Sequence, residues 1–196
     1  MCGIAGWIGP SNQELLTKVR DSIRHRGPDD GRSFFDSQVS LGHRRLNIVD
    51  LATGGQPMFS EDRTLVIVFN GEIYNHPKLK IELQGLGHRY RTSSDTESIL
   101  HAYVQWGTKC VERIDGMFVF AIYDMKNKLL FGARDRFGKK SLYYTNRPLG
   151  SGSEQFAFAF SSELKALRKI SQVENLHLYV RVALAQLAEL AILSRY

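Results

Sequence analysis

Short blocks of hydrophobic residues alternate with polar, glycine-containing segments along most of the chain. The block from Leu65 to Phe69 is an unbroken run of β-branched and aromatic residues, which predicts a strand buried on both faces. Asn70-Gly71 follows at once, and because this dipeptide is suited to positive φ, the strand is predicted to end there in a turn. Other blocks predict short strands at residues 2–9, 33–35, 39–46, 117–124, 128–133, 142–145 and 155–161.

Helical patterns occupy fewer segments. A helix running toward Ile23 is predicted to begin at Ser11 or Asn12 as its N-cap, and others are predicted at residues 78–86, 96–106 and 163–168. Ser94 precedes the third of these helices and Glu97 lies three residues later, as a capping box requires. Because strands and helices do not alternate regularly, we predict an α+β fold with two mostly antiparallel sheets and helices packed outside them.

Composition and charge exclude several classes of protein. A chain of 196 residues with 43% hydrophobic residues predicts one soluble domain. The net charge of +6 comes from scattered basic residues without aromatic interleaving, so no nucleic-acid partner is expected. With 2 cysteines a disulfide framework and a four-cysteine zinc site are impossible, and the histidines lack metal-binding spacing, so no metal is expected. No secretion signal or membrane span is recognisable, which predicts a cytoplasmic protein without membrane contact.

The cysteine at the second position has special chemistry if Met1 is removed. Cleavage after methionine is favoured when the next side chain is small, and it would leave Cys2 with a free α-amine. The pKa of such an amine is about 8 and that of a thiol is about 8.5, so the neutral amine can take the thiol proton at neutral pH. Cys2 is therefore a candidate N-terminal nucleophile, the alternative being an incidental cysteine at the chain end.

Three other places in the chain offer matching chemistry, each with a simpler alternative. The Asn70 side-chain amide and the Gly71 N–H could donate jointly to one oxyanion, or they could form a plain turn. Arg45 could hold a carboxylate in its planar fork, or it could be a surface charge. Asp95 could bind an ammonium group, or it could only cap the helix that follows.

Taken together, the motifs of this chain resemble those of the glutamine-hydrolysing domain of asparagine synthetase, a class II (N-terminal-nucleophile) glutamine amidotransferase. The Arg-Gly-Pro-Asp and Asn-Gly-Glu-Ile-Tyr-Asn stretches resemble the equivalent stretches of asparagine synthetases. The related phosphoribosylamine and glucosamine-phosphate enzymes carry different residues there. The resemblance covers residues 2 to 167 and rests on segments 1–6, 24–29, 43–50, 55–58, 69–75, 94–97, 116–118 and 134–138.

The resemblance implies a four-layer αββα sandwich and a role for each candidate residue. Cys2 would attack the glutamine side-chain amide as a thiolate, with its own amine as general base, giving a thioester and ammonia before water releases glutamate. Asn70 and the Gly71 N–H would form the oxyanion hole. Arg45 would hold the substrate α-carboxylate and Asp95 its α-ammonium group. The pocket would be completed by Glu72 and the backbone near Ile48 and Val49.

The end of the chain departs from the resemblance. In the family, an ATP-dependent synthetase domain follows the glutaminase domain, whereas here residues 168–196 form a tail with no recognised function, expected to be helical because Glu174, His177 and Arg181 fall on one stripe. The glutaminase step needs no cofactor, and ATP and magnesium are expected only for the missing domain. Ammonia would pass to aspartate or another acceptor, with a separate synthetase subunit or a homodimer as the expected assembly. Lys140 and Tyr143 are expected to build the fold and a domain interface.

Two alternatives to an active glutaminase stay open at this point. A catalytically silent regulatory or binding module would keep the fold, and retention of Met1 would favour it because the general base would then be locked in a peptide bond. An N-terminal-nucleophile hydrolase acting on another amide is disfavoured, since the contacts expected from Arg45 and Asp95 would have no amino-acid head group to bind.

Overall fold

The computed structural model describes residues 1–46, 54–145, 156–171, 181–182 and 190–193. Within them, two sheets are formed by the strands β1 (Gly3–Ile8), β2 (Asp30–Phe35), β3 (Val39–Arg45), β4 (Met58–Phe59), β5 (Leu65–Ile73), β6 (Gly116–Asp124), β7 (Leu129–Arg134), β8 (Tyr143–Thr145), β9 (Phe158–Ser161), β10 (Arg181–Val182) and β11 (Leu190–Leu193). The first sheet has the order β10-β8-β9-β1-β3-β2 and the second the order β11-β7-β6-β5-β4. Every pairing within the described strands is antiparallel.

The helices lie outside these sheets. The described residues form α1 (Gln13–Ser22), α2 (His76–Gly85), α3 (Asp95–Trp106) and α4 (Leu164–Ser171), with short 3₁₀ turns at Arg24–Arg26 and Gly107–Glu112. Asn12 is the N-cap of α1 and accepts a hydrogen bond from Leu15 N at 2.9 Å. It is one of the two residues predicted as possible caps. None of the helices in the described part of the chain has the length and apolar character needed to cross a membrane.

The N-terminus of α3 differs in detail from the predicted capping box. Ser94 caps the helix, its Oγ accepting from Thr96 N at 3.3 Å. Glu97 does not reach back to Ser94, because Ser94 N already donates to Thr92 Oγ1 at 3.1 Å. The Glu97 carboxylate instead accepts from Arg91 N, Thr92 N and Thr92 Oγ1 at 2.7–2.9 Å. Glu97 therefore orders the segment that leads into the helix.

Three hydrophobic clusters define four layers. Side chains from both sheets, including Ile4, Leu41, Val68 and Val119, meet in the middle cluster. The outer face of the second sheet is covered by α2 and α3, and the outer face of the first sheet is covered by α1 and α4. The predicted αββα sandwich of two antiparallel sheets is thus confirmed.

The predicted end of the central strand is wrong. Strand β5 does not turn at Asn70-Gly71 but continues to Ile73, and these two residues pair with Val119 and Phe118 of β6. The glycine serves close packing, since a Cβ on Gly71 would lie 2.3 Å from the Met117 carbonyl oxygen. Strand β6 continues to pair for its full nine residues, so the ladder outweighs the local turn preference of the dipeptide.

The structure describes only part of the tail that was predicted to be helical, and residues 168–171 of it belong to helix α4. Helix α4 ends at Ser171, and the later described residues are strands: β10 pairs with β8, and β11 pairs with β7. Each adds to the edge of a sheet, where unpaired N–H and C=O groups favour another strand. Glu174 and His177 lie outside the described residues, and the boundary at residue 168 stays a prediction.

Candidate active site

A cavity of about 290 Å³ lies at one end of the space between the two sheets. Its walls bring together six of the predicted site residues from four separate parts of the chain: Cys2, Arg45, Asn70, Gly71, Glu72 and Asp95. Ile48 and Val49, the remaining two, lie outside the described residues. Met1, Gln56 and Lys140 also line the cavity.

The period-2 alternation of the strands explains how distant residues reach this cavity. In β5, Val66 and Val68 face the interlayer core, and Asn70 is the next position on that face. In β3, Val39 and Leu41 face the same core, and Arg45 lies further along the same face. Each strand therefore changes from apolar to polar at its cavity end.

Cys2 lies just before β1, on the side of the strand that carries Ile4 into the interlayer core. Its side chain is half-buried, with Leu46 N donating to Sγ at 3.4 Å and the Leu46 carbonyl 3.8 Å from Sγ. Arg26 Nε donates to the Cys2 carbonyl at 3.0 Å, which fixes the backbone. Both backbone polar groups of Leu46 therefore contact the sulfur and hold the Cys2 side chain in the wall of the cavity.

Asn70 provides an unused donor inside the protein. Its side chain is 2% exposed, and Nδ2 has no hydrogen-bond partner among the described residues. A buried donor left unpaired costs about 1–3 kcal/mol, so such a group needs an explanation. A ligand oxygen in the cavity that Asn70 lines would supply the missing acceptor.

The Gly71 N–H lies on the open edge of the same strand. Phe118, its partner across the ladder, uses its own N and O for Asp135, at 3.2 and 2.8 Å. Gly71 and Phe118 therefore form a non-hydrogen-bonded pair, and the Gly71 N–H points away from β6. On that edge, Phe69 N donates to Gln56 Oε1 at 2.6 Å and Ile73 N donates to Asp95 Oδ2 at 3.0 Å. The Gly71 N–H lies between these two, adjacent to Asn70.

The charged side chains of the cavity come from opposite layers. Arg45 is 8% exposed and belongs to the first sheet, while the half-buried Asp95 begins α3 behind the second sheet. Burial raises the pKa of Asp95, partly offset by the hydrogen bond from Ile73 N. No basic side chain in the described residues forms an ion pair with Asp95. Its carboxylate is therefore favourably placed to accept a ligand cation.

Gln56 joins two halves of this site and was missed by the sequence analysis. Its Oε1 accepts from Phe69 N, beside Asn70, and its Nε2 donates to Thr96 Oγ1, beside Asp95, at 3.3 Å. Gln56 is buried, so both bonds are shielded from water. The only signal in the sequence was its place in the Gly-Gln-Pro-Met segment of the resemblance. Nothing in the sequence indicated that Lys140 would reach the cavity.

Comparisons with known proteins identify the family of this chain. The family described as glutamine amidotransferase domain matches residues 1–192. The chain belongs to the class II glutamine amidotransferase family. It is 40% identical over 174 residues to asparagine synthetase (glutamine-hydrolyzing) 3 of Bacillus subtilis (strain 168), covering 85% of this chain and 27% of that protein. It is 39% identical over 184 residues to asparagine synthetase (glutamine-hydrolyzing) of Triphysaria versicolor, covering 91% of this chain and 30% of that protein. The chain thus spans less than a third of the length of these curated relatives.

A solved structure supports the fold of this amidotransferase domain. Glutamine phosphoribosylpyrophosphate amidotransferase from B. subtilis, complexed with ADP and GMP, superposes with a TM-score of 0.67 at 20% identity. The match covers 87% of this chain and 43% of that one. At this level of identity the likeness establishes the four-layer architecture alone.

Proposed function

We propose that this domain hydrolyses the side-chain amide of glutamine to glutamate and ammonia, as the glutaminase half of an asparagine synthetase-like amidotransferase. The proposal rests on one observation: one cavity is lined by a half-buried cysteine, a buried arginine, two adjacent N–H donors with no acceptor and a carboxylate with no basic partner among the described residues. The relatives described above, which are glutamine-hydrolyzing asparagine synthetases, support it.

Removal of Met1 activates the nucleophile in this proposal. Met1 is 58% exposed, so it is accessible to an aminopeptidase. The freed α-amine of Cys2 takes the thiol proton, and the thiolate attacks the amide carbon of glutamine. Negative charge develops on the amide oxygen, where Asn70 Nδ2 and the Gly71 N–H donate to it. Preorganised donors of this kind each contribute about 3 kcal/mol to transition-state stabilisation.

The tetrahedral intermediate then collapses by breaking its carbon–nitrogen bond. The Cys2 ammonium group returns its proton to the departing nitrogen, so ammonia leaves and a γ-glutamyl thioester remains. The neutral amine next takes a proton from water, and the resulting hydroxide attacks the thioester carbon. Glutamate leaves as the carbon–sulfur bond breaks and the sulfur regains a proton.

The remaining groups of the cavity bind the amino-acid head group. Arg45 holds the α-carboxylate, and Asp95 holds the α-ammonium group, which supplies the cation that its buried carboxylate lacks. Glu72 and the backbone near Ile48 and Val49 complete the pocket. A volume of about 290 Å³ is at the small end for ligand sites, which suits a single amino acid.

The fate of the ammonia is part of the same proposal. Because the chain spans only 27–30% of the two relatives described above, the acceptor site belongs to a synthetase partner or segment that uses ATP and magnesium. Aspartate is the acceptor favoured by the relatives' names.

A matched pair of cysteine variants tests the proposal. Cys2→Ala removes the nucleophile and is expected to lower glutamate release from glutamine at least about 10³-fold. Cys110→Ala changes the other cysteine, which is buried in the core beneath the second sheet, and is expected to keep kcat/KM within about twofold. Intact-mass spectrometry of the purified protein should show that Met1 is absent.

The silent-module alternative makes opposite predictions. It requires Met1 to be retained and glutamine to bind without release of glutamate, which calorimetry and a coupled glutamate assay would detect. Undiminished glutaminase activity in Cys2→Ala would exclude the nucleophile assignment.

A further inference from the structure

Lys140 is an unusual residue in the wall of the cavity. It is 6% exposed, and its Nζ lies 3.4 Å from the Met1 sulfur. No carboxylate in the described part of the chain lies within ion-pair distance of this ammonium group. Lysine is rarely buried without a partner because desolvation disfavours its charge. Its position therefore calls for a role in the cavity.

The loop that carries Lys140 is held firmly. Asp135 accepts from Phe118 N, Lys139 N and Lys140 N at 2.9–3.2 Å, so its carboxylate serves the loop backbone. The Arg134 guanidinium donates to the Gly138 and Lys140 carbonyls. These bonds fix the main chain of the loop and leave the Lys140 side chain as the group that extends to Met1.

The other charges around Cys2 have assigned tasks in the proposed reaction. Arg26 donates to the Cys2 carbonyl and pairs with Glu163 at 3.3 Å. Arg45 and Asp95 would be matched by the two charged groups of glutamine, while Glu72 is exposed to solvent. Buried His43, on the neighbouring strand, is kept neutral by its surroundings. Among the described residues lining the cavity, Lys140 is then the cation without an assigned anion.

We propose that Lys140 is an electrostatic positioning residue for Cys2, keeping the freed α-amine neutral and favouring negative charge on the sulfur. The inference rests on the proposed glutaminase function. Met1 links the Lys140 contact to Cys2, because the residue that touches Nζ is bonded directly to the Cys2 nitrogen. Once Met1 is removed, Nζ loses this contact and faces the new amine. A positive charge nearby disfavours a protonated amine and favours a thiolate, so the free amine is available as the general base at a lower pH.

Two variants test this role, with removal of Met1 verified by intact mass in each protein. Lys140→Met keeps the length of the side chain without the charge, and Lys140→Arg keeps the charge. We expect Lys140→Met to move the acid limb of the kcat/KM profile about one pH unit higher and to lower kcat/KM about tenfold at pH 6.5. KM should change little in Lys140→Met. The separate variant Lys140→Arg should keep the wild-type pH profile of kcat/KM. The pH dependence of Cys2 alkylation by iodoacetamide should move in the same direction.

The outcomes separate this inference from the function on which it rests. Loss of activity with an unmoved acid limb would indicate a purely structural role, and a rise in KM alone would indicate substrate binding; either result overturns the inference. If the wild-type protein released no glutamate, the alkylation profile would still decide the role of Lys140 while the glutaminase proposal failed. Should Lys140→Met not fold, Lys140→Gln keeps a polar tip without the charge and is measured in the same way.

Discussion

The two ends of the space between the sheets contrast sharply, although the same strands form both. At one end the facing positions are apolar and pack against each other: Ile8, Val39, Leu41, Val66 and Val68. At the other end, the positions on the same faces are polar and surround a cavity: Cys2, Arg45 and Asn70. The candidate site is therefore a continuation of the hydrophobic core in which the residue types change.

The two ends also differ in what they contribute to stability. Burying an aliphatic side chain at the apolar end stabilises the fold by about 1.5–3 kcal/mol. At the polar end, three buried or half-buried groups oppose folding: an amide with no hydrogen-bond partner in the described residues, a carboxylate with a raised pKa, and an ammonium group with no carboxylate partner there. Groups that destabilise the free protein yet lie in one cavity are the expected signature of a binding site.

The largest expected effect compares neighbouring positions on one face of β5. Asn70→Ala removes the proposed oxyanion donor, so kcat should fall about 10²–10³-fold while the free energy of unfolding stays the same or rises. Val68→Ala removes core packing, so the free energy of unfolding should fall by about 2 kcal/mol with kcat/KM at 25 °C nearly unchanged. Glutaminase kinetics and urea unfolding of both variants measure the contrast. Equal kinetic losses in the two variants would contradict it.

A smaller effect is expected from two adjacent arginines on opposite faces of β3. Arg45 lines the cavity, whereas Arg44 donates to the Gly27 and Pro28 carbonyls at 2.8 and 3.1 Å. Arg45→Gln should raise KM for glutamine about 10- to 100-fold, because the proposed bidentate contact with the α-carboxylate is lost. Arg44→Gln should lower the free energy of unfolding by about 1–3 kcal/mol and leave KM unchanged. A raised KM for Arg44→Gln alone would reverse the assignment.

The smallest expected effect concerns His43, where the apolar face meets the polar one. Its ring nitrogen Nε2 lies 3.1 Å from the Phe69 carbonyl, and burial lowers the pKa of His43 to about 4. Below about pH 6.5 the unfolded chain binds a proton at this position that the native state does not, so stability falls with decreasing pH and levels off near pH 4.

His43→Gln keeps a donor for Phe69 but removes this titration. Between pH 7 and pH 4.5, the wild-type protein should lose about 2 kcal/mol more stability than the variant. Guanidinium unfolding at both pH values measures the difference. Parallel losses in the two proteins would mean that other groups govern the acid sensitivity.

Much of the fold followed from local patterns. Asn12 and Ser94 cap their helices as expected, since an N-cap depends only on nearby residues. The turn predicted at Asn70-Gly71 failed because pairing with β6 is a long-range interaction that a dipeptide preference cannot report. The tail strands β10 and β11 were not predicted for a similar reason, because a helical stripe carries no information about the open sheet edges where they pair.

The residue types of the candidate chemistry could be recognised without the structure: a cysteine after the first methionine, an Asn-Gly pair, and candidate charges at Arg45 and Asp95. Three features could be seen only in the folded chain: the Gly71 N–H faces away from β6, Gln56 joins Phe69 to Thr96 beside Asn70 and Asp95, and Lys140 reaches the cavity. These features depend on which strands pair and in what register, and such contacts join residues far apart in the chain.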